Sequence, residues 1–277
     1  MQPTEVLEHY EADNENRLAK ESMRYYRTVM EEFLTFIAKP STEVTRHDIR
    51  QWLLHLTEGG NGPNTLRAKL FGLRSFFGYC KEEEIIEEDP TDGIALPTVP
   101  DTVPHYLTRE QLTRLREHTK DHPRNRAIVE TLYATGVRVS ELVQIRLHDI
   151  NFDERIIHIH KGKGKRDRIV LFTRDCEEHI KAYLEAKEWH TPRLFLNHMG
   201  EPMGRRGVQK WFETWADDLN MKLSVHTMRH TFAAHLAQKG MPLAGIQTLL
   251  GHESVEDTLV YTKLYDYARK EQYDDYH

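Results

Sequence analysis

At 277 residues the chain is long enough for one large domain or two of ordinary size, each with a proper buried core. With 39% hydrophobic and 30% charged residues it has the balance of a soluble globular protein, and it lacks the uninterrupted apolar run of roughly 18 residues that a membrane helix needs. The formal charge of −6 does not advertise a polyanionic partner, but it is unevenly spread: residues 1–100 hold 11 basic and 18 acidic side chains, and the remainder holds 27 and 26. Lys161 to Arg168, KGKGKRDR, carries five basic residues against one Asp. Such a patch can attract a polyanion even on an acidic protein, because exposed charges more than about 10 Å apart are largely screened at moderate salt.

The acidic opening, MQPTEVLEHYEADNEN, has no apolar centre and argues against a secretory signal. From Leu18 to Ala38 the apolar residues Met23, Tyr26, Met30, Phe33, Leu34 and Ile37 keep helical spacing, and Pro40 closes the segment. A second helix is predicted in STEVTRHDIRQWLLHL, with Thr45 and Asp48 as a capping pair. After a Gly/Pro break, a third runs through NTLRAKLFGLRSFFGYCKEEEII with Leu66, Leu70, Leu73, Phe76 and Phe77 on its apolar side. The four prolines that follow cannot continue a helix, so an extended linker over residues 91–105 is expected between a helical domain (1–90) and a second domain (106–277).

The second domain opens at LTREQLTRL, with Thr108 as a helix cap. RNRAIVETLYATGVRVSELVQIRL reads as two helices interrupted at Thr135-Gly136. RIIHIHKGKGKRDRIVLF shows two β-branched runs around a Gly/Lys turn, which predicts a hairpin, and RLFLN is a candidate for a further short strand. From about Gly207 the pattern is helical again. Cys80 and Cys176, the only cysteines, lie far apart without metal-site spacing, so free thiols in a reducing cytoplasm are expected.

Near the C-terminal end stands VHTMRHTFAAH, where His226 and His230 are four apart and share a helical face. A zinc protease motif needs an acid where Thr227 stands, a third ligand would have to be found, and Arg229 would repel a divalent cation. A helix-turn-helix fits the spacing of the segment to Leu250, yet LAGIQTLL lacks polar residues able to read bases. A phosphoryl-transfer site is the third reading: His226 and Arg229, three apart, could reach one phosphate. Arg138 opens a helix after YATG, and a helix N-terminus suits an anion. Lys163 sits between two glycines at the hairpin tip; His252 follows the helix stop at Gly251; and Tyr261 falls two turns into a helix with Ser254 as its cap and Asp257 three residues later. Each of these, taken singly, has a bland counterpart as a solvated charge or a core residue.

Together and in this order they resemble the tyrosine recombinase (phage integrase) family: Arg138 in TGVRVSEL, Lys163 in GKGKRDR, His226 and Arg229 in HTMRH, His252 in LGH, and Tyr261 nine residues later. NTLRAKLFGLRSFFGYC also looks like the last helix of that family's core-binding domain, so the resemblance spans about residues 17–265. It implies a mainly α fold, with a helical, SAM-like core-binding domain followed by a mixed α+β catalytic domain with a small antiparallel sheet. It implies double-stranded DNA as partner, no metal and no other cofactor, and a 3′-phosphotyrosyl intermediate leading through a Holliday junction. In the implied roles Arg138 and Arg229 bind phosphate oxygens, Tyr261 attacks, His226 relays its proton, His252 bonds the phosphate and Lys163 protonates the leaving 5′-oxygen.

DNA contacts are expected from Arg67, Lys69 and Arg74 on the third helix, from Lys161 and Lys165 beside Lys163, and from Arg205, Arg206 and Lys210 in RRGVQKW. His230 and His235, outside the signature, are read as structural. The resemblance further implies a tetramer on paired sites, a second recombinase or accessory protein as a further partner, no membrane association, and a nucleoid-associated place in the cytoplasm. The absence of an extra arm-binding region favours an Xer-like resolvase of chromosome or plasmid dimers over an integrase of a virus, plasmid or mobile element. A regulator that kept the fold without the chemistry, or a metal-dependent nuclease, are the competing classes.

Overall fold

The computed structural model describes residues 3–99, 103–160, 167–189, 191–251 and 256–265, and the chain divides into two compact units, Met1–Pro100 and Asp101–His277. In the first unit, helices α1 (Pro3–Asn14), α2 (Lys20–Ile37), α3 (Arg46–Glu58) and α4 (Pro63–Glu82) enclose an aromatic core of Tyr10, Phe33, Trp52, Phe76 and Phe77. Phe33 meets Trp52 edge-on at 5.1 Å between centroids, the arrangement that the ring quadrupoles favour. The capping pair forms as the spacing predicts: Thr45 and Asp48 cap α3 in a reciprocal box.

Helix α1 was not predicted from the acidic opening. Its apolar side is narrow, Val6, Leu7 and Tyr10 only, and all three are buried. The first unit also extends beyond the expected boundary. Ile94 packs into its core, and Nη2 of Arg74 donates to the Ile94 carbonyl at 2.6 Å, so the start of the predicted linker lies folded on α4.

The second unit contains α5 (Arg109–His118), α6 (Pro123–Thr135), α7 (Val139–Leu142), strands β1 (Ile150–Asn151), β2 (Ile156–Ile159) and β3 (Arg168–Leu171), then α8 (Arg174–Ala186), α9 (Arg205–Asp218), α10 (Val225–Gln238), α11 (Leu243–Leu250) and α12 (Glu256–Leu259). The strands form an antiparallel sheet in the order β1-β2-β3, with Ile157 opposite both Ile150 and Val170. Ile157 and Ile159 are buried and His158 is exposed, the period-two alternation of a sheet with one face on a core. The third strand is β1 rather than RLFLN. That segment makes only single bridges, Arg146 to Arg193 and Leu196 to Pro202, while Leu194 and Phe195 are buried in the core.

Helix α10 is buried around most of its circumference, from Val225 to Ala237, and separates two apolar clusters. The smaller one joins Phe232, Ala233, Ala234 and Ala237 to Ile246 and Leu250 of α11 and to Tyr261. Helix α11 therefore packs Ile246 and Leu250 inward, as its apolar sequence predicts. No helix among the described residues is long and apolar enough to cross a membrane.

Candidate active site

Arg138 is the N-cap of α7, immediately after the turn that ends α6. That turn depends on Gly136, which has φ +62° and closes α6 in the left-handed conformation. A Cβ at this position would lie 2.4 Å from Cδ1 of Phe232 on α10. The missing side chain thus lets the Arg138 turn rest directly on the helix that carries His226 and Arg229. Gly136→Ala adds left-handed strain to overpacking and is expected to lower stability by about 2–4 kcal/mol, measured by denaturant unfolding.

Arg229 is buried at 7% exposure, deep for a charged group. Its Nη1 donates to the Gly136 carbonyl at 2.5 Å and its Nη2 to the Leu250 carbonyl at 2.8 Å. Two of the five guanidinium N–H groups thereby fix its plane between the α6–α7 turn and the end of α11, and three remain for another acceptor. Burial, followed by the nearby charge of Arg138, brings its pKa down to about 10, still well above neutrality, so the group stays cationic.

Glu141, one turn after Arg138, ties the cations together. Its Oε2 accepts the Arg138 backbone N–H at 2.8 Å, and its two oxygens accept both Nη atoms of Arg168 at 2.7 and 2.9 Å. Arg138 Nη1 approaches Oε1 at 3.4 Å. The Glu141 and Arg168 side chains are 10% and 9% exposed, and the bidentate fork is the strongest geometry available to such a pair. Burial by itself would raise the Glu141 carboxyl, but the bonds from Arg168 and Arg138 outweigh it and hold the pKa down to about 2. Arg168 Nε also donates to the Leu249 carbonyl at 3.2 Å, so α11 ends on two arginines. Neither Glu141 nor Arg168 was singled out in the sequence. The acid three residues after a helix-opening Arg138 was the available signal, since that is the capping-box position.

Tyr261 lies 1% exposed against the small apolar cluster, and its hydroxyl is 2.6 Å from Nδ1 of His230. Burial pushes the phenol up to about 12 against the opposing pull of Arg229, so the hydroxyl is protonated at neutral pH. Burial, then His226, Arg229 and His105, brings His230 down to about 4, so its ring is neutral. His230, read from the sequence as structural, is in fact the residue in contact with the phenol. His226, four residues earlier, is exposed and makes no side-chain hydrogen bond among the described residues. His235 is buried between Tyr133 Oη and the Leu107 carbonyl, each 3.0 Å away, and fastens the entry of the unit to α10.

Arg138, Arg229, His230 and Tyr261 thus share one corner of the second unit, with His226 on the same helix. Lys163, Lys161, Lys165, His252 and the Ser254 cap lie outside the described residues. The strands on either side of that lysine segment are described, and beside them His160 bonds Asp167 at 3.0 Å and Asp149 at 3.1 Å; these two carboxylates, Asp167 first, raise its pKa.

The predicted DNA contacts divide by burial. Arg205, Arg206 and Lys210 are exposed on the first turns of α9, and Arg67 is half-buried without a side-chain hydrogen bond or ion pair among the described residues. Lys69 is corrected: at 9% exposure it pairs with Glu32 and lies 5.3 Å from the Trp52 ring, so its ammonium serves the helical core. Arg74 is likewise engaged, by the Ile94 carbonyl. Among the described residues the grouping that could hold a metal is Glu130, Asp175 and His179, but the Glu130 carboxylate already meets Arg116 at 2.6 Å and Arg126 at 2.8 Å. Two cations there disfavour a third.

Comparison with known families matches residues 105–267 to the phage integrase family and residues 6–87 to the phage integrase N-terminal SAM-like domain. Tyrosine recombinase XerC of Chlamydia caviae is 33% identical over 250 residues, covering 86% of this chain and 80% of the relative. Tyrosine recombinase XerD of Halalkalibacterium halodurans is 31% identical over 251 residues, covering 86% and 84%. Among solved structures, the XerA recombinase aligns over 99% of this chain and 98% of its own, at 27% identity and a TM-score of 0.57. The Tn1549 transposon integrase in complex with transposon right end DNA reaches a TM-score of 0.80 over 98% and 99% at 21% identity, a likeness of fold.

Proposed function

The chain belongs to the phage integrase family, as a site-specific tyrosine recombinase, and on that premise we propose that it breaks and rejoins duplex DNA through a 3′-phosphotyrosyl link carried on Tyr261. The observation that carries the assignment is the buried phenol held in the same corner as Arg229 and Arg138.

A phosphodiester repels nucleophiles with its own charge, so attack needs cationic and hydrogen-bonding groups around its oxygens. Arg138 and Arg229 bind the non-bridging oxygens with cationic forks and His252 hydrogen-bonds the phosphate, while the resemblance gives the relay of the nucleophile's proton to His226. Lys163 protonates the departing 5′-oxygen. The covalent link conserves the bond energy, so a second 5′-hydroxyl reverses the step without ATP. Paired exchanges on a tetramer then pass through a Holliday junction. The XerC and XerD relatives favour resolution of chromosome or plasmid dimers in the cytoplasm as the biological setting.

The test is covalent capture. A nicked duplex, its sequence selected from a randomised pool by binding to this protein, should yield an SDS-resistant adduct whose DNA-linked peptide contains Tyr261. The adduct should form equally in EDTA. Linkage to another residue, or dependence on a divalent ion, refutes the scheme.

DNA affinity should rest on phosphate contacts. Replacing Arg205, Arg206 and Lys210 together with Ala is expected to reduce the slope of log K against log salt by about 2–3, in filter-binding titrations. Lys69→Ala should leave that slope unchanged and lower stability instead.

A further inference from the structure

The family resemblance gives the phenolic proton to His226, but among the described residues His226 makes no hydrogen bond to Tyr261. Tyr261 is 1% exposed, and a buried O–H needs an acceptor. The hydroxyl finds one at 2.6 Å, in Nδ1 of His230. With the ring neutral and the phenol protonated, the phenol donates, Nδ1 accepts, and the ring proton sits on Nε2. His226, the signature histidine on the same helix, is exposed and has no such bond among the described residues.

We propose that His230 is a catalytic residue: its Nδ1 holds the Tyr261 hydroxyl and takes its proton as the phenol attacks phosphorus. This rests on the reading of Tyr261 as the nucleophile. In the step, Tyr261 Oη forms the bond to phosphorus while the bond from phosphorus to the 5′-oxygen breaks. The phenolic proton passes to Nδ1, and the departing oxygen takes its proton from the general acid assigned to Lys163. In the reverse step the imidazolium returns the proton to the phenolic oxygen as an incoming 5′-hydroxyl displaces it, and the lysine recovers its own.

The surroundings suit that task. Burial first, then the charges of His226 and Arg229 on its own helix and of His105 from the segment before α5, keep the ring deprotonated and ready to accept from Tyr261. Burial also keeps bulk water from competing for the phenolic proton. The bound phosphodiester, with its negative charge, stabilises the imidazolium once it forms.

The experiment measures single-turnover cleavage of the nicked duplex with protein in saturating excess. His230→Ala is expected to slow adduct formation by roughly 100-fold or more while the half-saturating protein concentration stays within about 3-fold, because general base catalysis contributes to the chemical step and not to DNA binding. Imidazole added to this variant should recover part of the rate. His230→Asn places an amide at the reach of Nδ1; it can accept the phenol's hydrogen bond but not its proton. It should remain at least ~10-fold slow, with a rate that climbs with pH where the natural protein is level.

A His230→Ala variant as fast as the natural protein, or full speed restored by His230→Asn, overturns the proposal while Tyr261→Phe stays inactive. An adduct that survives Tyr261→Phe instead removes the nucleophile assignment, so the two failures are told apart.

Discussion

Tyr261→Phe is expected to abolish the covalent adduct on nicked DNA completely and to leave DNA binding intact, whereas Tyr265→Phe should still form it. The two tyrosines are close in sequence but are held differently. The Tyr261 ring is buried in the small apolar cluster that includes Phe232, Ala233 and Leu250, so phenylalanine keeps nearly all of its burial. What disappears is the hydroxyl and its bond to His230, at a cost to stability of about 1 kcal/mol. A folded, DNA-binding, inactive variant is therefore the expected product. The Tyr265 hydroxyl donates to the Met241 carbonyl, which braces the turn between α10 and α11, and its removal should show as a comparably small loss in thermal unfolding. Gel electrophoresis in SDS separates the outcomes, and an adduct of normal yield in Tyr261→Phe would sink the assignment.

Glu141→Ala should destabilise the second unit by about 3–5 kcal/mol, because it leaves Arg168 buried and unpaired and releases the backbone N–H of Arg138. At this chain length that corresponds to a drop in Tm of roughly 10 °C, and activity should fall with it as the Arg138 turn loosens. The same carboxylate sets an acid dependence whose sign is fixed by the direction of its shift. The folded-state pKa lies near 2, below the unfolded value, so the stabilisation is fully present above about pH 4.5 and is lost as pH falls through that range toward 2. The term amounts to about 3 kcal/mol at neutral pH. Glu141→Gln, which cannot titrate, should show a flatter stability profile between pH 5 and 2 in denaturant titrations. An unchanged acid limb in that variant would mean that other carboxylates dominate it.

Much of the fold was legible because its signals are local. Thr45 with Asp48 forms a capping box that spacing discloses, and Thr108 caps α5 as its position suggests, with Gln111 closing a second box. The apolar period of α4 and the alternation along β2 likewise announce which face is buried. The α1 helix escaped notice because three apolar side chains among acids do not establish a period, and only tertiary packing stabilises it. RLFLN had strand composition, but its buried Leu194 and Phe195 serve the core and not a ladder.

Of the site, residue types and order could be read, and partnerships could not. That His230 and not His226 meets the phenol depends on how α10 turns against the segment around Tyr261, a contact spanning 31 positions in the chain. The burial of Lys69 depends in the same way on Glu32 and Trp52 from two other helices. Glu141 was visible only as a cap, because its partner Arg168 comes from the far side of the hairpin.

The guanidinium of Arg229 fastens two separate stretches of backbone before any substrate arrives. Lysine in its place would keep the positive charge but, with a single ammonium point, would lose the planar span between those carbonyls. On the proposed function, the side chain is at once a girder and a tool. Dead enzymes created by altering it will therefore have weakened scaffolding as well as missing chemistry, and the two kinds of damage separate only when unfolding and turnover are followed in the same sample.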